Sequence, residues 1–147
     1  MKKSKYLLRY HDFYYRRIAT LKEQVQHLKA TLRRINLSGT KSSNFAARVR
    51  HADQHTIPQD PNKREYQLKA NLKKFRRYKR GLKRYRLFFC FSSRPPIILY
   101  LYLNDEKHLR QAGSKKDPYE QFKGLVSRGI FSHDPSDEKI QAWIRSS

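Results

Sequence analysis

Residues Phe75–Leu103 read FRRYKRGLKRYRLFFCFSSRPPIILYLYL, and the patterning of this stretch decides the fold class. Tyr85, Leu87, Phe89 and Phe91 alternate with Arg84, Arg86, Phe88 and Cys90. A period of two places each set on one face of a strand, predicted over Arg84–Ser92. Phe75–Arg80 reads as a weaker strand before it, with Gly81 at the hairpin turn. Ser93-Arg94-Pro95-Pro96 marks a second turn. Ile97–Leu103 is one apolar run, the pattern of a strand covered on both faces. An antiparallel strand group follows. With Tyr85, Leu87, Phe89 and Phe91 as its core row, Arg84 and Arg86 should point outward. Arg77 and Lys79 would extend them into one row of four cations.

The charge around this stretch points to a partner. No Asp or Glu occurs from Tyr66 to Asn104, although basic residues crowd residues 69–86. The 147-residue chain carries 34 Lys and Arg against 12 Asp and Glu, a net charge of +22. Such a chain repels itself, and a polyanion relieves the repulsion; phosphate backbones are the commonest. An acidic protein would relieve it too. The plain alternative is a solvated sheet edge whose lysines deter aggregation. Ordinary solvated faces mix signs, so an acid-free stretch favours phosphate binding.

The flanks are largely helical. Tyr14, Ile18, Leu21, Val25, Leu28, Leu32 and Ile35 recur at alternating spacings of four and three, predicting one helix of about 24 residues, or ~36 Å. Asp12 is its expected N-cap, and Asn36–Gly39 its end. Such a stripe more often packs on its own domain than forms a coiled coil. A polar break at Thr40–Ser43 precedes a short helix over Asn44–Gln54, and His55–Asn62 reads as a loop. After the strands, Asn104–Gly113 suggests a short helix. Asp117-Pro118-Tyr119-Glu120 is a helix start, with Asp at the cap and Pro in the first turn. Tyr119, Phe122, Leu125 and Val126 form that helix's apolar face, and Gly129 ends it. A last helix is expected near Ser136–Ile144. The whole is predicted to be one α+β domain over 1–147. Its helical part is 1–55, its sheet and site 66–129, and its tail 130–147.

Several function classes lose support. Cys90 is the single cysteine, so neither an internal disulfide nor a zinc cluster is expected. No paired acidic cluster suits a two-metal nuclease, and Asp105-Glu106 reads as helix capping. His51 and His55 could meet on one helical turn, a weak metal signal. There is no phosphate loop or nucleotide fingerprint, and no cofactor is expected. No apolar run reaches the roughly 20 residues of a membrane span, and the start lacks a secretion-signal pattern, so the cytoplasm is the expected location. RNA cleavage remains open, because a 2′-hydroxyl can attack its own phosphate. That needs a base, cations and an acid for the leaving oxygen.

Arg84-Tyr85-Arg86-Leu87-Phe88-Phe89, Ile97-Ile98-Leu99, Asn104-Asp105-Glu106, Leu109-Arg110, Gly113, Lys115-Lys116, Asp117, Tyr119, Phe122 and Arg128-Gly129 together resemble the YhaV toxins. These belong to the RelE/ParE superfamily of type II toxin–antitoxin ribonucleases. The resemblance covers Phe75 to Gly129 and departs at Leu37–Leu68 and beyond Phe131. It implies a microbial-ribonuclease-like fold, with N-terminal helices on a small antiparallel sheet and short C-terminal helices. It also implies metal-independent cleavage of mRNA, free or on the ribosome, and so inhibition of translation. Carried over, Arg77, Lys79, Arg86, Arg110 and Tyr119 are the candidate catalytic residues. Arg84, Lys115, Lys116, Arg76 and Lys83 are candidate RNA contacts. An acidic PrlF-like antitoxin of AbrB type is the implied partner. The competing reading is a non-catalytic RNA- or ribosome-binding protein.

Overall fold

The computed structural model describes residues 4–34 and 41–146. Strand β1 (Leu7–His11) leads directly into helix α1 (Asp12–Arg34), and α2 (Lys41–His51) follows. A π-helical turn, Ala52–Thr56, continues α2 into the short α3 (Ile57–Gln59). Strands β2 (Arg76–Tyr78), β3 (Leu87–Ser93) and β4 (Pro96–Leu103) come next. Helix α4 (Pro118–Ser127), a 3-10 helix at Glu138–Trp143 and strand β5 (Ile144–Arg145) complete the chain.

The five strands form one sheet in the order β2-β3-β4-β1-β5. The expected antiparallel group is β2-β3-β4. β1 adds parallel to β4, with Leu8 opposite Ile98 and Tyr10 opposite Tyr100, and β5 pairs antiparallel with β1. The fold is α+β, and its sheet is mixed rather than wholly antiparallel. β1 escapes a sequence reading because its five residues, LLRYH, abut the helix start. Strands that short carry little period-two signal.

Both faces of the sheet are buried, which changes the reading of β3. On the α1 side lie Tyr10, Tyr14, Ile18, Leu21, Leu87, Phe89, Ile98 and Tyr100. On the α4 side lie Phe88, Cys90, Leu99, Leu101, Phe122, Leu125 and Phe131. Phe88 and Cys90 are fully buried, so the row expected to face outward with Arg84 and Arg86 is core. The sheet therefore offers no open face for four cations. Alternation separates two faces, yet it cannot say that one is wet when aromatics occupy both. The register also skips a residue. Phe88 pairs with Tyr102 and Phe89 with Tyr100, and Leu101 joins Tyr102 on the α4 side.

Helix boundaries depart in instructive ways. α1 fits the expected stripe, but Asp12 is not its capping acceptor. The His11 ring accepts from Phe13 N–H at 3.1 Å, while the buried Asp12 carboxylate pairs with Arg16 at 2.7 Å and Arg145 at 2.8 Å. The expected helix end at Asn36–Gly39 lies outside the described residues, as does Ile35. The polar break at Thr40–Ser43 falls partly there, and Lys41–Ser43 are already helical. His55–Gln59 is helical rather than a loop; the helix runs on through Pro58, and the Asp53 carbonyl, five residues before it, accepts from the Tyr100 hydroxyl instead. Asn104–Gly113 forms turns instead of a helix, because the Asn104 side chain binds the backbone locally. Asp117 caps α4 as expected, accepting from Tyr119 N–H at 2.9 Å. The tail helix is of 3-10 type, capped by Asp137.

Candidate RNA-cleavage site

The strongest cluster of candidate residues sits at the β2 edge of the α4 face. Arg77 pairs in register with Phe88, which places it on that face. Its Nη1 donates to the Tyr119 hydroxyl at 3.2 Å, and its Nη2 to the Glu65 carbonyl at 2.7 Å. Tyr119 stands on the first turn of α4 with its ring edge-on to Phe88, 5.4 Å between centroids. It is half-buried, so it docks the helix and still reaches Arg77. Arg110 covers the other side of that ring, its guanidinium 4.8 Å from the centroid.

Asp117 holds this group together. One oxygen accepts from Arg110 Nη1 at 2.6 Å and from Gln111 N–H at 2.8 Å, and the other caps Tyr119 N–H. A single buried carboxylate thus aims Arg110 and starts the helix that carries Tyr119. The sequence marks Asp117 only as a cap. Its link to Arg110 spans seven residues of irregular chain and has no sequence signal.

Arg84 and Arg86 lie in the connection before β3, not in the strand. Gly81 turns that connection with φ of +74°, and Lys83 follows at +54°. The sequence thus spends its turn residues over Leu82–Tyr85, and pairing with β2 begins only at Leu87. Arg84 and Arg110 exchange two hydrogen bonds. Arg110 N–H donates to the Arg84 carbonyl at 2.9 Å, and Arg84 Nε to the Arg110 carbonyl at 3.1 Å. Buried Asn104 clamps the same junction. Its Oδ1 accepts from Arg86 N–H at 2.7 Å, and its Nδ2 donates to the carbonyls of His108 at 2.7 Å and Arg84 at 3.3 Å. Asn104, whose place in the sequence gives no sign of this role, is therefore what brings the Arg84–Arg86 and His108–Arg110 segments together. The Arg86 guanidinium folds back on the carbonyls of Lys83 at 2.6 Å and Tyr85 at 2.8 Å. The Nε atoms of Arg77 and Arg86 are buried without a partner.

The remaining candidates are more dispersed. Lys79, Lys115 and Lys116 are exposed; the last two lie in the loop just before Asp117. Lys83 is exposed on the turn beside the α1 side. Arg76 lies across the sheet from Arg77. It pairs with Phe89 and stands 5.4 Å over the Phe91 ring, with Asn62 Oδ1 at 3.2 Å. His51 and His55 do meet, 5.2 Å between ring centroids. Among the described residues, no group of three His, Cys, Asp or Glu side chains is placed to hold a metal. Cys90 is buried, which pushes its thiol far up and leaves it unsuited to nucleophilic work. Among the described residues, no helix is long and apolar enough to cross a membrane.

Comparison with known proteins places the chain among toxins. Residues 8–141 match the YhaV toxin family, described as a toxin with endonuclease activity, of a toxin-antitoxin system. The chain is 42% identical over 65 residues to the ribonuclease toxin YhaV of Escherichia coli K12 and to toxin YhaV of Escherichia coli O157:H7. That alignment covers 44% of this chain and 40% of each relative, less than half of either. No solved structure matches significantly.

Proposed function

This chain belongs to the YhaV toxin family, and on that footing we propose that it is the toxin of a type II toxin–antitoxin system that cuts mRNA internally. The observation that carries this reading is the convergence of Arg77, Arg110 and Tyr119 from three separate elements. In the proposed reaction the 2′-hydroxyl oxygen attacks its adjacent phosphorus and loses its proton to a base. The bond from phosphorus to the 5′ oxygen breaks, and that oxygen takes up a proton. The products are a 2′,3′-cyclic phosphate and a 5′-hydroxyl. No metal is needed in this scheme.

Arg77 and Arg110 stabilise the charge that gathers on the phosphate, a role suited to guanidinium groups, which stay protonated. Tyr119, its hydroxyl beside Arg77, supplies the leaving oxygen's proton or stacks a base. Arg86 adds a further cation once RNA draws it from its local carbonyls. Lys79 is the candidate base or a second electrostatic clamp. Arg84, Lys115 and Lys116 contact flanking phosphates, and Lys83 extends that track at the turn. Arg76 serves RNA only if the strand wraps the sheet edge. The whole chain acts as one toxin domain in the cytoplasm, silenced by an acidic PrlF-like antitoxin, with or without the ribosome as its platform.

The test is to incubate purified chain with single-stranded RNA and with translating ribosomes, and to read the ends produced. Cleavage with 2′,3′-cyclic phosphate ends is expected. Arg77→Ala and Arg110→Ala should each slow it by about a hundredfold or more while circular dichroism stays unchanged. RNA that is bound yet intact under both conditions would instead establish the non-catalytic reading.

A further inference from the structure

Helix α1 carries its apolar stripe further than the core follows it. Tyr14, Ile18 and Leu21 are buried, whereas Val25, Leu28 and Leu32 are only half-buried, over roughly 11 Å of helix. Beside the middle of α1, along Arg17 to Leu28, lies a groove of about 740 Å³ that takes in Leu28 of this stripe. Its floor is Leu21, Leu28, Phe45, Leu82 and Tyr85, with Phe45 and Tyr85 packed at 4.4 Å between centroids. Arg17, Arg48 and Lys83 rim it, against the single carboxylate of Glu106. The groove is on the α1 side of the sheet, while Arg77, Arg110 and Tyr119 are on the α4 side. The connection from Lys79 to Arg86 touches both, since Lys83 and Tyr85 line the groove and Arg84 binds Arg110.

We propose that this groove docks an acidic amphipathic helix from a protein partner, laid along Arg17 to Leu28 of α1. The apolar floor suits the i, i+3, i+4 and i+7 anchors of such a helix, and the basic rim suits carboxylates on its flanks. Charge decides between occupants. A second copy of this chain would bring another +22 to the same place, and like charge across an interface opposes association. Identifying the partner as the antitoxin rests on the toxin reading above; the groove's preference for an acidic helix does not.

The probe is a synthetic peptide of about three heptads, with Leu on one face and Glu on the others, titrated against the intact chain. Two controls share its length: a scrambled sequence, and a version with Lys in place of Glu. The acidic amphipathic peptide should bind, and neither control should. Leu28→Glu and Arg48→Glu should each weaken binding about tenfold or more, with RNA cleavage unchanged. Arg84→Glu, on the other side of the connection, should leave peptide affinity intact. The proposal fails if the scrambled peptide binds equally. It fails if Arg84→Glu costs as much as Arg48→Glu, since binding is then diffuse. It fails if the free chain is a dimer that Leu28→Glu dissociates, since the occupant is then a second copy. Because the readout is peptide affinity, loss of the ribonuclease reading would leave the result standing.

Discussion

The two sides of the sheet are built from similar aromatic material and put it to different uses. On the α1 side Tyr10, Tyr14 and Tyr100 stack on one another with centroids 5.5 to 6.1 Å apart. Their hydroxyls are used internally. Tyr14 donates to the Asp53 carboxylate, and Tyr100 to the Asp53 carbonyl. Arg50 closes the Asp53 pair at 3.1 Å. On the α4 side the packing is of phenylalanines, Phe88 stacked on Phe122 at 4.3 Å and Phe122 on Phe131 at 5.3 Å. The polar groups there sit at the margin, where Arg77 and Arg86 keep buried donors without partners. The α1 side turns aromatic hydroxyls inward onto Asp53, although Asp53 Oδ1 and the Tyr66 hydroxyl are also buried there without a partner. The α4 side sets a cushion of hydrocarbon beneath cations at its margin, an arrangement suited to an anion site.

Cavities of similar kind on the two sides should separate these roles. Phe122→Ala should lower stability by about 3–5 kcal/mol, measured by denaturant unfolding. It should also slow RNA cleavage under conditions where the chain remains folded, because Phe88 and Tyr119 lose their backing. Ile98→Ala, on the α1 side, should cost about 2–4 kcal/mol and leave cleavage of the folded chain near its original rate. Equal losses of cleavage from both would end the distinction between a structural and a functional side.

The next effect is one of pH. Burial raises the Asp53 carboxyl to about 6, against hydrogen bonding from Tyr14 and the Arg50 charge, which pull it down. A raised folded pKa means that the native state holds the proton longer than the unfolded chain does. Below the ordinary carboxylate value of about 4 Asp53 contributes no pH dependence, and stability then falls as pH rises to about 6 and levels off. The span corresponds to about 3 kcal/mol. Asp53→Asn should flatten the profile in this window, as read by unfolding midpoints at successive pH values. His11 acts with the opposite sign. Burial lowers its pKa, against the Ile130 carbonyl bond and the Asp12 charge, so its contribution is lost as pH falls below about 6.5.

Much of this was legible in the sequence, for identifiable reasons. Helix α1, the cap at Asp117 and the run Ile97–Leu103 announce themselves through periodicity or cap chemistry, which are local. Arg77, Arg110 and Tyr119 could be nominated through family resemblance, but their contact could not be. It depends on which sheet face α4 covers and on Asn104 clamping two segments of irregular chain. The outward cation row failed for a physical reason. Period two reports that Phe88 and Phe89 diverge, and burial of both requires the later helix and tail that cover Phe88. Asp53 was invisible because the residues that bury it, Tyr14 and Tyr100, lie 39 and 47 positions away.

Smaller changes sharpen the account of the α4 side. Asn104→Ala leaves Arg86 N–H and the His108 carbonyl without a partner and the Arg84 carbonyl with Arg110 N–H alone, and should cost about 1–3 kcal/mol. Since the clamp sets the position of Arg84 against Arg110, cleavage should fall with it. Asn104→Asp should not restore either, because a carboxylate cannot donate to the carbonyls of Arg84 and His108.

Tyr119→Phe is the mildest change and the most discriminating. It keeps the ring that packs against Phe88 and lies under Arg110, and it removes only the hydroxyl that Arg77 donates to. Stability should shift by about 1 kcal/mol or less, since the lost hydrogen bond is at a half-buried margin. The effect on RNA then divides two roles. If the hydroxyl supplies the proton for the leaving oxygen, single-turnover cleavage slows by about a hundredfold at unchanged RNA affinity. If it only steadies Arg77, RNA affinity falls and cleavage of bound RNA holds. Tyr119→Ala removes the ring as well, and should lose affinity in either case, because Arg110 then loses the surface it rests on.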